Sequence, residues 1–293
     1  MNPTSELPFE RAFREWIAHE GMGWQRISYP RSEAGGDTVA YHLSPASPPR
    51  GVVLIVHGAG NDGLFGMVEL ARRLLLSGLE VVTFHLDGHG RGGATRLTAA
   101  AAAGAVPAAA AMAGAAQRGL PLYAVGISLG GSLLLHALPR LSPPPASAAL
   151  VCAPIHVHLS RRTVAAELRP RLLRTLWRER ADYGATGLIP SFGRWKRDTY
   201  PLRLGEPAAP GAFGYVERLN QLLDSLDLEG AARATRLPVR LIYGAGDGLV
   251  PPAQGERLAT LLPHADLIIL PGETHLTTPL APRTVRAIVE WFA

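Results

Sequence analysis

The chain of 293 residues has one cysteine, Cys152, and one lysine, Lys196, among 29 basic residues. A single cysteine excludes an intramolecular disulfide and any cysteine-cluster metal site. The basic residues exceed the 24 acidic ones and give a formal net charge of +5. Because nearly all of them are arginines, this excess indicates a compositional bias more than a nucleic-acid partner. We therefore expect neither a bound metal nor a nucleic-acid ligand.

Long hydrophobic runs are also missing, although 47% of the residues are hydrophobic and the mean hydropathy is +0.11. Residues 1–20 carry charges where a signal peptide would need an apolar stretch. The alanine tract at 99–116 contains Gly104, Pro107 and Gly114 and few large aliphatic side chains, so it predicts no membrane span. The expectation is a globular protein in the cytoplasm.

Nucleotide-binding signatures are absent as well. The sequence contains no G-x-x-x-x-G-K-[ST] phosphate-binding loop. Gly58 and Gly60 have the spacing of a dinucleotide-binding turn, but the third glycine of that fingerprint is missing. We therefore expect no nucleotide, and the sequence indicates no other cofactor.

Apolar strands alternate with helical segments over most of the chain, which predicts an α/β fold. The later strands are apolar on both faces, so we expect a mostly parallel central sheet with helices on both faces. The predicted strands lie at 24–29, 38–43, 51–56, 81–84, 122–125, 148–151, 239–243 and 267–270. The predicted core helices lie at 65–76, 99–116 with a break or kink at Pro107, 131–138, 253–262 and 282–292.

The alternation stops after Pro154 and resumes at residue 237. We therefore divide the chain into a core made of 1–154 and 237–293 and an inserted helical lid at 155–236. The lid carries a concentration of arginines, which predicts a solvated helix face or, alternatively, a basic patch for anionic substrates. Within the lid we predict a helix at 164–183, turns at 184–214 and a second helix at 215–228.

The segment Gly126-Ile127-Ser128-Leu129-Gly130 matches G-x-S-x-G and lies between a predicted strand and a predicted helix. A sharp strand-to-helix turn of this kind exposes the serine hydroxyl, and its glycines avoid a clash between a Cβ and the neighbouring backbone. Ser128 is therefore the predicted nucleophile.

A serine nucleophile needs a base, and the base needs an orienting acid, in the chain order Ser, Asp or Glu, His. Asp247 and His275 each follow a predicted strand. They complete the predicted catalytic triad with Ser128. Weaker candidates for the acid are Asp224 and Asp227. Among the remaining histidines, His57 is a less favoured base that we expect to brace its loop, and His156 and His158 could contact substrate.

Acyl transfer also needs hydrogen-bond donors for the oxyanion. The first predicted donor is the backbone N–H of Leu129, directly after the nucleophile. The second should come from the glycine-containing loop at 57–62, where Ala59 is the preferred residue and Gly60 the next. Gly60 is also expected to contact the substrate.

These motifs together resemble the α/β-hydrolase-fold serine hydrolases, and within them the group that is similar to monoacylglycerol lipases and serine aminopeptidases. The resemblance covers about 51–154 and 237–293. It includes an Asp87-Gly88-His89-Gly90-Arg91-Gly92 segment similar to the family's D-x-x-G-x-G turn, with Ala94 where a serine is usual. The motifs that carry the resemblance are 57–60, 126–130, 244–247 and His275.

The resemblance implies an esterase or lipase-like enzyme that cleaves a carboxylic ester, so its partner would be a small-molecule acyl ester or thioester. Trp177 and Trp195 in the lid are predicted to line an acyl pocket. A thioesterase or acyltransferase would use the same triad, and a non-catalytic binding protein on this scaffold is the alternative from another class. The sequence leaves the oligomeric state open.

Overall fold

The strands and helices of this protein are placed by a computed structural model. It describes residues 8–30, 37–59, 63–64, 66–87, 89, 99–114, 118–156, 158–160, 163, 167 and 213–293. The strands are β1 (Gly23–Pro30), β2 (Asp37–Ser44), β3 (Val52–Val56), β4 (Glu80–Phe84), β5 (Leu122–Ile127), β6 (Ser147–Val151), β7 (Val239–Gly244) and β8 (Ala265–Leu270).

All eight of these strands belong to one sheet with the order β1-β2-β4-β3-β5-β6-β7-β8. Strand β2 runs antiparallel to both of its neighbours, β1 and β4. The remaining neighbours pair in parallel, and these pairs are β4–β3, β3–β5, β5–β6, β6–β7 and β7–β8. The predicted mostly parallel sheet is therefore confirmed, with an antiparallel hairpin at one edge.

Helices cover both faces of this sheet, as the sequence predicted. Side chains of β3 alternate between the two cores: Val52, Leu54 and Val56 enter one, and Val53 and Ile55 the other. Such a strand is buried on both sides, which explains its continuous apolar sequence. The helices are α1 (Pro8–His19), α2 (Val68–Leu76), α3 (Ala99–Ala113), α4 (Leu129–Ala137), α5 (Phe213–Asp224), α6 (Leu228–Ala234), α7 (Pro252–Leu261) and α8 (Pro282–Trp291).

The alanine-rich helix α3 differs from the prediction of a break, because it continues through Pro107. Its buried face is formed by residues spaced three or four apart, including Ala102, Ala105, Ala109 and Ala113. Pro107 lies off this face and is only half-buried. Packing on both sides of the proline therefore holds the helix together where local propensity would end it.

The helix predicted at 215–228 ends earlier than expected, and a separate helix that the sequence did not predict follows it. α5 ends at Asp224, and α6 begins at Leu228. The side chain of Asp227 caps α6 by accepting a hydrogen bond from the Gly230 N–H at 2.8 Å. An aspartate cap of this kind starts a new helix because it satisfies a free backbone donor. Apart from Glu167, the helix predicted at 164–183 lies outside the described residues. So do the turns predicted at 184–214, except for residues 213 and 214, which begin α5.

The parallel strands β5 to β8 are consecutive neighbours, so their carboxyl ends meet at one edge of the sheet. Ser128 follows β5, Asp247 follows β7 and His275 follows β8. The topology therefore brings together three residues that are far apart in sequence. Such an edge is where open α/β sheets place their ligands.

At the end of the sheet opposite Ser128, the buried Glu80 at the start of β4 forms an ion pair with Arg118. Glu80 is 2% exposed. It accepts a bidentate pair of hydrogen bonds from Arg118, at 2.7 and 2.8 Å, and a further one from His42 on β2. Burial alone would raise the pKa of Glu80, but the hydrogen bonds and charges of His42 and Arg118 outweigh it and lower the pKa to about 2.

Replacing Glu80 by glutamine should lower the free energy of unfolding by about 1–3 kcal/mol at pH 7, because it removes the charge of a buried carboxylate that accepts hydrogen bonds from His42 and Arg118. The carboxylate stabilises the fold above its unfolded pKa of about 4.5. This contribution is lost as the pH falls toward 2. Urea unfolding of both proteins should therefore show a difference that shrinks between pH 4.5 and 2. A difference that is constant over this range would contradict the assignment.

Candidate active site

The turn after β5 holds Ser128 in a strained backbone conformation. Its φ is 50° and its ψ is −120°, outside the regions that non-glycine residues favour. The Ser128 N–H donates to the Val151 carbonyl at 2.8 Å, and the Ser128 carbonyl accepts from Gly131 N–H at 2.8 Å. The turn is therefore fixed on both sides, by β6 and by the first turn of α4.

The glycines around Ser128 are required by contacts between backbones. A Cβ on Gly130 would lie 2.2 Å from the Val56 carbonyl oxygen and 2.4 Å from that of His57. A Cβ on Gly126 would lie 2.7 Å from the Gly130 carbonyl oxygen. Helix α4 thus starts directly against the end of β3, which only residues without a Cβ allow.

Ser128, His275 and Asp247 form one hydrogen-bonded series. The Ser128 Oγ lies 2.8 Å from His275 Nε2, and His275 Nδ1 lies 2.8 Å from Asp247 Oδ2. Asp247 is 5% exposed and His275 8%. An imidazole held by a carboxylate on Nδ1 leaves Nε2 free to accept the serine proton.

The Asp247 carboxylate is held by backbone donors as well as by the histidine. Its Oδ1 accepts hydrogen bonds from the N–H groups of Leu249, at 2.9 Å, and Val250, at 2.7 Å. These bonds close the loop after β7 around the carboxylate and offset the cost of burying its charge. The buried carboxylate therefore keeps one orientation, toward His275.

Two threonines that the sequence reasoning did not select shape the loop of His275. The Thr277 hydroxyl oxygen accepts from the Thr274 N–H at 2.8 Å, and the Thr278 hydroxyl donates to the Thr274 carbonyl at 2.6 Å. Threonine side chains commonly bond to nearby backbone groups in turns. In the sequence, the Thr-His-Leu-Thr-Thr run at 274–278 could have indicated these bonds between threonine side chains and the backbone.

The loop after β3 lies against Ser128. A Cβ on Gly58 would be 3.2 Å from the Ser128 Cβ, and Ala59, the next residue, is half-buried. Leu129 is the first residue of α4, so its N–H lies at a helix N-terminus. This position favours negative charge. Gly60 lies outside the described residues, as do Trp177 and Trp195.

Both ring nitrogens of His57 are engaged within this loop region. Nε2 accepts from the Leu86 N–H at 3.0 Å, and Nδ1 lies 2.8 Å from the Gly58 carbonyl oxygen. Since Nε2 accepts, Nδ1 carries the proton and donates. The ring thus braces the turn between β3 and β4, the role expected of it from the sequence.

The two weaker acid candidates and His156 lie away from this hydrogen-bonded series. Asp227 caps α6, and Asp224 is an exposed residue in the last turn of α5. His156 lies 3.0 Å from Glu229 in an exposed cluster that also includes Arg257. None of these contacts involves Ser128 or His275.

Glu167, in the stretch predicted to form the lid, lies against the loops that carry Asp247 and His275. Its Oε1 accepts from the Leu276 N–H at 3.3 Å. Its Oε2 is 3.9 Å from the position that a Cβ on Gly248 would take. The inserted segment therefore contacts the residues directly after the base and the acid.

Cys152, Asp247 and His275 have ligand atoms within 4.8 Å of one another, close enough to hold a small metal ion. All three residues are buried. Two of the three ligand atoms, His275 Nδ1 and Asp247 Oδ2, already bond to each other at 2.8 Å. We therefore interpret the cluster as a hydrogen-bonded one.

None of the helices in the described part of the chain is long and apolar enough to cross a membrane.

The sheet order, the strained serine turn and the Ser–His–Asp series together define the class of α/β-hydrolase-fold serine hydrolases. Residues 47–278 match the family described as serine aminopeptidase, S33, and the chain belongs to this family. It is therefore an enzyme of the hydrolase class. No curated protein matches the sequence significantly.

Solved structures share the fold at low sequence identity. A thermostable carboxyl esterase from Bacillus coagulans has a TM-score of 0.63 at 16% identity, covering 92% of this chain and 98% of its own. A thermophilic esterase from Thermogutta terrifontis has a TM-score of 0.60 at 20% identity, with coverages of 92% and 98%. A bacterial membrane phospholipase A has a TM-score of 0.67 at 17% identity, with coverages of 97% and 91%.

Replacing Gly130 by alanine should destabilise the protein by about 3 kcal/mol or more and abolish hydrolysis, because the new Cβ displaces α4 from β3. The matched control is Gly104→Ala. Gly104 lies exposed in α3, and nothing lies within 4 Å of an added Cβ. That variant should gain about 0.5–1 kcal/mol. Thermal unfolding of both variants checks this, and equal melting temperatures would refute the backbone-contact argument.

Proposed function

We propose that this protein hydrolyses carboxylic esters through an acyl-enzyme on Ser128, with His275 as base and Asp247 as orienting acid. The observation that carries the proposal is the unbroken series of 2.8 Å contacts from Ser128 through His275 to Asp247. The esterase activities of structurally similar proteins give additional support for an ester substrate.

In the first half-reaction the Ser128 oxygen attacks the ester carbonyl carbon while His275 Nε2 takes the hydroxyl proton. Asp247 stabilises the imidazolium that forms. The carbonyl oxygen becomes an oxyanion, which we expect the backbone N–H groups of Leu129 and Ala59 to bind. Collapse of the tetrahedral intermediate breaks the bond to the alkoxy group, which leaves as an alcohol with the proton from His275.

In the second half-reaction water replaces the alcohol. His275 takes one proton from the water as its oxygen attacks the acyl carbon on Ser128. Collapse releases the carboxylic acid and returns the proton to the serine oxygen. The same steps would release a thiol from a thioester, so only the choice of leaving group separates an esterase from a thioesterase.

Ser128→Ala should lower the kcat of p-nitrophenyl ester hydrolysis by about a thousandfold or more. Ser132→Ala is the matched control, since this buried serine donates to the Pro154 carbonyl at 2.5 Å and does not contact His275. It should keep activity within about fivefold. A chain-length series of esters and matched acyl thioesters then identifies the preferred leaving group.

A fluorophosphonate probe provides an independent test that needs no turnover. Peptide mapping should find the covalent adduct on Ser128 in the wild type and in Ser132→Ala, and no adduct in Ser128→Ala. Activity that survives Ser128→Ala would rule out the acyl-enzyme mechanism. If neither esters nor thioesters are turned over and the probe does not label Ser128, a binding role becomes the better account.

We also propose that residues 155–236 form a lid whose position affects the site. The segment after β6 is held in place by the buried Asn220 side chain. This side chain bonds to both the N–H and the carbonyl of Leu159, at 2.9 and 3.0 Å. Further along, Glu167 bonds to the backbone beside His275. Asn220 thus joins the two ends of the insertion to each other. The insertion contacts the core where the His156 N–H donates to Gln254 Oε1 at 2.8 Å, and again beside His275 through Glu167.

Glu167→Ala should raise KM for long-chain esters while leaving kcat/KM for acetate esters within about twofold, because only long acyl chains reach the lid. Exchange of the Leu276 amide hydrogen should also become faster. The matched control is Glu256→Ala, an exposed carboxylate on α7. Chain-length profiles that coincide for the wild type and both variants would contradict a lid role for Glu167.

A further inference from the structure

One buried threonine closes the turn of chain that carries His275. The N–H and the hydroxyl of Thr278 both donate to the Thr274 carbonyl, at 2.9 and 2.6 Å. Thr274 directly precedes His275, and Thr278 lies three residues beyond it. Thr278 is fully buried and Thr274 is 1% exposed. The turn around the proposed base is therefore held closed by two hydrogen bonds from a single residue.

The carbonyl that Thr278 binds has a direct effect on His275, because it belongs to the peptide group that ends at the His275 nitrogen. A peptide group is planar, so the direction of the Thr274 carbonyl also sets the direction in which the chain enters His275. The N–H of Thr278 alone would satisfy this carbonyl. The hydroxyl of Thr278 uses the second lone pair of the oxygen and adds a second restraint on its direction.

The same hydroxyl lies against the end of β7, the strand that leads to Asp247. A Cβ on Gly244, the last residue of β7, would collide with the Thr278 hydroxyl oxygen. Glycine at this position therefore allows the strand to approach the hydroxyl directly. Thr278 is also bonded to α8, because its carbonyl accepts from the Thr284 hydroxyl at 2.5 Å. One residue thus contacts the turn of His275, the end of β7 and α8.

The loops of the base and the acid are joined on both sides of the histidine. Before it, the Gly246 N–H donates to the Glu273 carbonyl at 2.8 Å. Beyond it, the Thr278 hydroxyl contacts the end of β7. We propose that Thr278 is a positioning residue of the active site, whose hydroxyl holds the turn of His275 against β7 and keeps the imidazole in line with the Asp247 carboxylate.

Thr235 gives a closely matched control away from the site. Its N–H and its hydroxyl both donate to the Ala231 carbonyl, at 3.0 and 2.8 Å, and it is 1% exposed. It follows α6, and these bonds involve no residue of the proposed triad. Valine at either threonine removes a buried hydroxyl and leaves the carbonyl its N–H donor. Comparing the two variants therefore separates loss of a buried hydrogen bond from loss of positioning.

The inference rests on the proposed function of the triad. Thr278→Val should lower kcat for p-nitrophenyl acetate about five- to twentyfold and leave KM within about twofold, because small displacements of a base slow attack more than binding. Thr278→Ser keeps the hydroxyl and should stay within about threefold of the wild type in kcat. Thr235→Val should stay within about twofold, although both valine variants should lower the melting temperature by about 2–4 °C.

Proton NMR tests the positioning without measuring activity. The hydrogen-bonded Nδ1 proton of His275 should give a low-field signal, which is assigned by its loss in His275→Gln. In Thr278→Val this signal should move upfield and exchange with water at least about fivefold faster. In Thr278→Ser and Thr235→Val it should match the wild type. If Thr278→Val does not fold, Thr278→Ala takes its place, since it lacks the hydroxyl and adds no methyl group beside Gly244.

The proposal is overturned if Thr278→Val is no slower than Thr235→Val, if Thr278→Ser is as slow as Thr278→Val, or if the low-field signal is the same in all of these proteins. The proposed function fails separately, if Ser128→Ala keeps its activity. In that case the NMR signal still reports whether the Thr278 hydroxyl holds His275 on Asp247.

Discussion

The close contact between the start of α4 and the end of β3 is the constraint on which the site depends. Gly130 lies so near the Val56 and His57 carbonyls that no side chain fits between them. Ser128 must therefore turn the chain within one residue, at a φ of 50°. The strain is held because sheet and helix hydrogen bonds fix the residue on both sides, and it exposes the serine at the edge where β7 and β8 also end.

The buried charge of Asp247 is a second constraint on the site, in addition to the close contact between α4 and β3. Burying a carboxylate that is 5% exposed is costly without hydrogen-bond donors. Those donors come from its own loop and from His275, while the Gly246 N–H bonds to the Glu273 carbonyl at 2.8 Å and joins the two loops. The Asp247 carboxylate and the backbone of its loop therefore stabilise each other. Loss of the hydrogen bonds of either one would free the His275 imidazole to rotate.

The sequence predicted the core and the approximate position of every described strand because apolar runs and glycine-rich turns are local signals. It also placed Ser128, Asp247 and His275 at strand ends, and the geometry brings them together. It could not predict that α3 continues through Pro107, since packing on distant strands decides that. Nor could it identify Thr277, whose bond to the Thr274 N–H depends on the folded shape of the loop after β8.

Substrate choice must depend on more than the hydrogen-bonded series, because the same three side chains serve esters, thioesters and amides alike. The described part of the insertion indicates how selectivity and catalysis are connected. Glu167 bonds to the Leu276 N–H, one residue beyond the base, so any movement of this segment acts on the loop that orients His275. Under the proposed lid role, a substrate that contacts the insertion would therefore also affect the position of His275.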